Sequence, residues 1–166
     1  MKQQIKSQHV KFLPVHYSYY ASPIGLLEVS ATAEAVATLY FVDEQQHEVE
    51  TTALLNAAIR QIDEYFAGRR QAFDLPLAFR GTDFQRRVWQ QLLTVPYGQT
   101  SSYQAIANAL GNSKAVRAVG AANGQNPISV IAPCHRIIGS NGSLVGYGGG
   151  LWRKEWLLKH EGYILA

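Results

Sequence analysis

The first half of the chain alternates between short apolar runs and polar breaks. Val15 to Ala21, Gly25 to Ala31 and Val36 to Val42 are rich in Tyr, Val and Leu. Ser22-Pro23 and the stretch from Thr32 to Glu34 separate them, which predicts three short β-strands. From Thr52 to Phe66 the period changes: Leu54, Leu55, Ala58, Ile59, Ile62 and Phe66 recur at helical spacing, with Gly68 as the stop. Strands followed by a helix predict a small α+β domain over residues 13–75. Nothing in this segment reads as chemistry. Residues 1–12 are polar and basic and are expected to be loosely held.

After Leu75-Pro76 the pattern becomes helical. Thr82-Asp83-Phe84-Gln85 fits a capping box, with Thr82 as N-cap and Gln85 at N3. The helix it starts turns Phe84, Val88, Leu92 and Trp89 inward and ends at the turn Pro96-Tyr97-Gly98. Ser102 to Leu110 reads as a short helix, Gly111-Asn112 as a tight turn, and Ser113 as N-cap of a second helix reaching Gly124. That pair has the outline of a helix-turn-helix, a weak signal alone because all-α cores share it. The expected fold class is therefore α+β: a sheet-plus-helix domain (residues 1–78), then a mainly helical, winged-helix-like domain (residues 79–166).

Length and composition narrow the options. A chain of 166 residues suits one large or two small domains, and its 47% apolar and 16% charged content supports a packed core. No run approaches the ~20 apolar residues of a membrane span, and the N-terminus lacks a signal-peptide core. A single cysteine forms no internal disulfide, which points to the cytoplasm. Charge is uneven: residues 1–85 carry a net −3 and residues 86–166 a net +6. A basic half on an acidic one fits either a solvated face or a polyanion-binding surface. The helix over residues 113–124 carries Ala115, Val116, Ala118, Val119, Gly120, Ala121 and Ala122 around one long cation, Arg117. Small side chains permit close packing against another helix. They equally permit entry into a narrow groove of nucleic acid, with Arg117 meeting a phosphate.

The chemistry concentrates in Asn126 to Ile138, NPISVIAPCHRII. It reads as a buried apolar strand leading to a proline-fixed turn, with a thiol and an imidazole at its end. A lone cysteine ordinarily packs as an inert core residue. Here Cys134 adjoins His135 and Arg136, whose positive charge is expected to favour thiolate. Adjacent side chains rarely face each other, so His135 needs a bridging water or an irregular turn. It also needs a partner for its tautomer, for which Glu161 is a candidate.

These residues resemble the O6-alkylguanine-DNA alkyltransferases, also called methylated-DNA–protein-cysteine methyltransferases. Pro133-Cys134-His135-Arg136 followed by Ile137 and Ile138 matches the signature around that family's acceptor cysteine. The similarity continues through Val88-Trp89, Pro96-Tyr97-Gly98, Ser102-Tyr103, Lys114 to Gly120, Asn126-Pro127, Gly146 to Leu151 and Lys154 to Leu158, covering nearly all of residues 82–162. Ser22 to Gly25 also looks like the family's first hairpin.

The resemblance implies DNA repair by irreversible, stoichiometric transfer of an alkyl group from an extrahelical O6-alkylguanine, or O4-alkylthymine, to Cys134. His135 would be the base acting through water, oriented by Glu161, and Asn126 would support the turn. Tyr103 would rotate the 3′ phosphate and donate a proton toward the departing guanine. Tyr147, Gly148 and Gly149 would form the pocket wall with backbone donors. Arg117 would fill the gap left by the flipped nucleotide, with Ala115, Ala118 and Ala121 as the smooth DNA-facing surface. Gln85, Gln104, Asn112 and Ser140 fall where family members touch the DNA backbone. The implied partner is double-stranded DNA bearing alkylated bases, bound by a monomer that is cooperative or not, and no cofactor is implied.

Departures from the pattern are Ala132, where many members carry Val or Ile, and Gly148, where some carry Ser. With no cysteine before Cys134, no N-terminal zinc site is expected, and His9, His16 and His47 read as ordinary polar residues. Two rivals stand beside the transferase: a catalytically silent lesion-binding module and a hydrolase using Cys134, His135 and Glu161. Burst stoichiometry separates the three.

Overall fold

The computed structural model describes residues 14–163, so residues 1–12 and His9 lie outside the described part. Strands β1 (His16–Ser22), β2 (Gly25–Ala31) and β3 (Val36–Val42) form an antiparallel sheet in the order β1-β2-β3. Helix α1 (Ala53–Phe66) covers one face. Thr52 caps it by accepting from Leu55 N at 3.1 Å. Ala67 takes the C-cap, and Gly68, at φ +75°, the position after it. There Gly68 N and Arg69 N donate to Tyr65 O and Glu64 O, the pattern of a left-handed helix stop.

In the second half, α2 (Asp83–Leu92) starts at the expected capping box between Thr82 and Gln85. It buries Val88, Trp89 and Leu92, and the Trp89 indole N–H donates to Ala122 O at 2.8 Å. Helix α3 (Tyr103–Ala109), capped by Ser102, leads through Gly111, at φ +77°, to α4 (Val116–Gly124). Ser113 is not the N-cap of α4. Ala115 holds that position without a side-chain bond, and Ser113 instead accepts from Gln104 Nε2 through its carbonyl. A two-stranded parallel ribbon joins β4 (Ser101–Ser102) to β5 (Ile137–Ile138), and α5 (Leu151–His160) closes the chain. The mixed α+β class is as the pattern predicts. Among the described residues no helix is long and apolar enough to cross a membrane.

The strand expected before Cys134 does not form. Residues 126–133 run as a chain of tight turns, because their apolar side chains serve a different purpose. Ile128, Val130, Ile131 and Ala132 insert into the core of the N-terminal sheet, beside Leu27, Leu39 and Tyr65. A continuous apolar run does not distinguish a strand from a buried loop. Backbone bonds Leu39 N to Pro127 O (2.9 Å) and Ser129 N to Leu39 O (3.0 Å) dock the loop against β3. The N-terminal core is thus completed by residues from the other half.

Candidate active site

Asn126 makes the buried loop possible. Its Nδ2 donates to Ala132 O at 2.7 Å and its Oδ1 accepts from Ile128 N at 3.0 Å, so backbone groups without a sheet partner are still paired. Within that clamp, Val130 sits at φ +70° in a γ-turn closed by Ile131 N to Ser129 O. This is a strained conformation for a β-branched side chain. Pro133, at φ −82° and ψ 66°, makes a second tight turn, closed by Cys134 N to Ala132 O at 2.8 Å. Cys134, His135 and Arg136 then form one turn of 3-10 helix, all three buried. That irregular turn sets imidazole and guanidinium together on the Glu161 carboxylate.

Glu161, at the end of α5, is 5% exposed and accepts from several donors. His135 Nε2 lies 2.8 Å from Oε1, and Arg136 donates Nε to Oε2 (2.8 Å) and Nη2 to Oε1 (2.9 Å). Tyr65 donates its hydroxyl at 2.7 Å, and Gly98 N approaches Oε2 at 3.4 Å. Gly98 is at φ +75°, and a Cβ there would meet Glu161 O at 3.0 Å, so a glycine is required. Burial pushes the Glu161 pKa up, but the bonds and charge from His135 and Arg136 outweigh it and hold the carboxyl well below the usual range.

Burial likewise lowers the His135 pKa, more than Glu161 raises it, so the ring is neutral near pH 7. Because a carboxylate only accepts, the proton of the neutral ring is on Nε2 and Nδ1 carries a free lone pair. Among the described residues Nδ1 has no hydrogen-bond partner.

Cys134 is 4% exposed. Burial raises its pKa, against the lowering effects of Asn126 and the Lys154 ammonium. The expected thiolate stabilisation by His135 and Arg136 is therefore corrected: one is neutral and the other is neutralised by Glu161. A thiol held in this way needs a base.

A cavity of about 270 Å³ opens over Cys134 and is lined also by Tyr147, Gly148, Gly149, Asn123, Asn126, Tyr40 and Phe41. A larger cleft of about 510 Å³ lies elsewhere, under Phe73, Leu75 and Leu93, without the thiol. Tyr103 donates its hydroxyl to Val145 O at 2.6 Å, and burial raises its pKa. Tyr103 packs over Gly120 of α4, where an added Cβ would make an ordinary 3.9 Å contact with its ring.

The expected DNA-contact residues are placed as follows. Arg117, Ala118 and Ala121 form an exposed face of α4, with Ala115 half-buried at its start. Gln85 reaches the end of that helix, donating to Gln125 Oε1 at 2.7 Å. Gln104 bonds Asn108 Oδ1 (2.9 Å) and Ser113 O, while Asn112 is exposed and accepts from Lys114 N. Ser140 is exposed in the turn after β5. His16 and His47 pair with Glu50 and Glu28.

Several residues went unmarked in the sequence. Lys154 is fully buried and donates to the carbonyls of Ile137, Val145 (3.0 Å) and Gly146 (3.1 Å). Burial brings its pKa down to about 8. Arg153 donates to Ile24 O (2.7 Å) and Gly149 O (2.8 Å) and lies 4.4 Å over the Phe41 ring, tying the pocket loop to the first hairpin. Tyr65, Tyr40 and Phe41 bring the N-terminal half into the site, contrary to the expectation that it holds no chemistry. A buried lysine in an Arg-Lys-Glu triplet gives no periodic signal, and strand aromatics look like core.

Comparison with known proteins decides the family. Residues 83–163 match the model of the 6-O-methylguanine DNA methyltransferase DNA binding domain, and residues 15–79 that of its ribonuclease-like domain. A methylated-DNA–protein-cysteine methyltransferase of Mycobacterium tuberculosis is 45% identical over 152 residues, 89% of this chain and 92% of its own length. The chain belongs to the methylated-DNA–protein-cysteine methyltransferase family. A relative from Methanosarcina acetivorans is 44% identical, covering 89% of this chain and 99% of its own. The crystal structure of Mycobacterium tuberculosis OGT in complex with DNA is similar at TM-score 0.81 and 47% identity, covering 88% and 92% of the two chains. The methyltransferase acts in DNA repair, by alkyl transfer to a cysteine.

Its acid stability tests the Glu161 cluster. His135 and Glu161 both have folded pKa values below their unfolded ones, so each contributes stability at high pH that is lost on acidification. Urea midpoints should fall below pH ~6.5 and fall further below pH ~4.3. Glu161→Gln should cost ~3–5 kcal/mol at neutral pH and flatten the second limb. Identical acid limbs in the two proteins would contradict the cluster.

Proposed function

We propose that this methyltransferase repairs O6-alkylguanine in duplex DNA, taking the alkyl group irreversibly onto Cys134. The observation that carries the reading is a buried thiol in a base-sized cavity beside a neutral histidine whose far nitrogen is held by Glu161. His135 Nδ1 removes the thiol proton through one water, and the ring then becomes the imidazolium, paired with Glu161. Sγ attacks the alkyl carbon, the carbon–O6 bond breaks, and its electron pair leaves on guanine. Tyr103 supplies a proton to that base, with the Lys154 ammonium 3.5 Å behind its hydroxyl. Tyr147 and the glycines after it hold the ring, with backbone donors toward O6.

The target oxygen is out of line for attack inside the stack, so the nucleotide must leave it. The helix-turn-helix supports this: α4 lays a smooth face of Ala118 and Ala121 in the minor groove, and Arg117 occupies the gap. Gln85, Gln104, Asn112 and Ser140 contact the backbone. Only part of the basic excess serves DNA, because Arg136 and Lys154 are buried in the protein. On this reading residues 79–166 carry the DNA and acceptor work as a monomer. A reactive free thiol fits the reducing cytoplasm. A lesion-binding module has no use for the thiol, and a hydrolase has none for the Arg117 face.

Intact-protein mass spectrometry with a duplex containing O6-methylguanine should give one methyl adduct, on Cys134, with no further uptake in excess substrate. Product beyond one equivalent would overturn the single-turnover reading, and Cys134→Ser should bind the duplex without repairing it. Arg117→Ala, compared at saturating protein, should slow repair in duplex while sparing reaction with free O6-benzylguanine, because only the duplex requires unstacking. Equal losses on both would make Arg117 structural.

A further inference from the structure

Arg136 supplies the charge that balances Glu161, donating Nε to Oε2 and Nη2 to Oε1. Tyr65 nevertheless brings a hydroxyl across from α1 to Oε1 at 2.7 Å, where His135 Nε2 and Arg136 Nη2 already bond. Its ring is fully buried among Phe66, Phe73, Tyr97 and His160, with centroids 5.2 to 6.2 Å away. His160 Nε2 donates to Tyr65 O at 2.7 Å and fixes the backbone from α5. A phenylalanine would fill that aromatic box without a polar atom to bury, so packing does not explain the hydroxyl.

Three donors thus share one carboxylate oxygen that has two lone pairs, and each weakens the acceptor for the others. The bond from His135 is the one that changes during the reaction. It strengthens when the ring takes the thiol proton and becomes charged. A hydroxyl hydrogen already on Oε1 moderates that gain. We propose that Tyr65 is a positioning residue that sets the base strength of His135, its hydroxyl sharing Glu161 Oε1 with the imidazole and limiting how firmly the carboxylate holds the protonated ring. The inference rests on the reading of His135 as the base. Tyr65 does not line the cavity over Cys134, so it acts on the chemistry only through the carboxylate.

Of the groups facing this cluster, His135 is the one that titrates in mildly acid solution. From α5 come Glu161, held ionised well below the usual carboxylate range, and Lys154, charged below its pKa of about 8. Arg136 adds positive charge from the Cys134 turn. Burial keeps the Cys134 thiol and the Tyr65, Tyr97 and Tyr147 hydroxyls protonated, and the Glu161 charge reinforces this for all three tyrosines. A change in the acid limb of the reaction therefore reports on the imidazole.

The test follows two quantities between about pH 5 and 8 in wild type, Tyr65→Phe and Tyr97→Phe. One is the nitrogen-15 titration of His135, and the other is the single-turnover rate of methyl transfer from duplex O6-methylguanine at saturating protein. Tyr65→Phe keeps the ring and deletes one donor, so His135 should titrate about one pH unit higher, the scale of a hydrogen bond to a charged group. The acid limb of methyl transfer should rise with it, slowing repair about tenfold on that limb and sparing the alkaline plateau. Tyr97→Phe, from the same aromatic box, should leave both where they are. Equal His135 midpoints in wild type and Tyr65→Phe, or a lower one in the variant, would overturn the proposal, as would a rate lowered equally at every pH. A wild-type rate with no acid limb at the His135 midpoint would instead refute His135 as the base, and the titration alone then decides whether Tyr65 sets the strength of the ring.

Discussion

A single buried carboxylate organises the site. Glu161 is out of water and stays ionised because the Arg136 fork, the His135 N–H and the Tyr65 hydroxyl meet its two oxygens. A buried ion pair rarely adds net stability over apolar packing, and its value lies in what its geometry specifies. Here it specifies a great deal. It joins α1, the Cys134 turn, the Gly98 turn and the end of α5 at one point. Burial keeps His135 neutral, the Arg136 charge acts in the same direction, and the ring directs its proton at the carboxylate. Remove that anchor and the imidazole loses both its tautomer and its place.

The rest of the chemistry follows from burial. Desolvation makes Cys134 a reluctant acid, so in the proposed mechanism the thiol waits for a base before it reacts. The same desolvation keeps His135 unprotonated and able to accept the proton. The pocket draws on both halves of the chain: Phe41 and Arg153 fix its loop from the sheet side, and Lys154 fixes it from within. The loop before the cysteine fills the core of the N-terminal sheet, so the packing of that sheet and the position of the thiol are one problem.

Much of this was legible in the residues. Strand periods, the Thr82 capping box and the turn glycines are local signals, and β2, β3, α1 and α2 appear where those signals put them. The Cys134-His135-Arg136 run announced chemistry because thiol, imidazole and cation rarely adjoin. What escaped was non-local. Ile128 to Ala132 has a strand's composition, but its partners are Leu39 and Tyr65, nearly a hundred residues away in Leu39's case, and only the fold reveals a buried loop. The adjacent cations looked like thiolate stabilisers until Glu161 claimed one of them and fixed the other's tautomer. Lys154 has ordinary helical neighbours, and its role comes from the carbonyls it meets.

The account stands on the protonation state of His135. Nitrogen-15 NMR of the imidazole across pH addresses it directly. The structure predicts a neutral ring at pH 7 with its proton on Nε2, titrating below the ~6.5 of a free histidine. An imidazolium at pH 7, or a neutral ring protonated on Nδ1, would contradict the assignment of that nitrogen as the base.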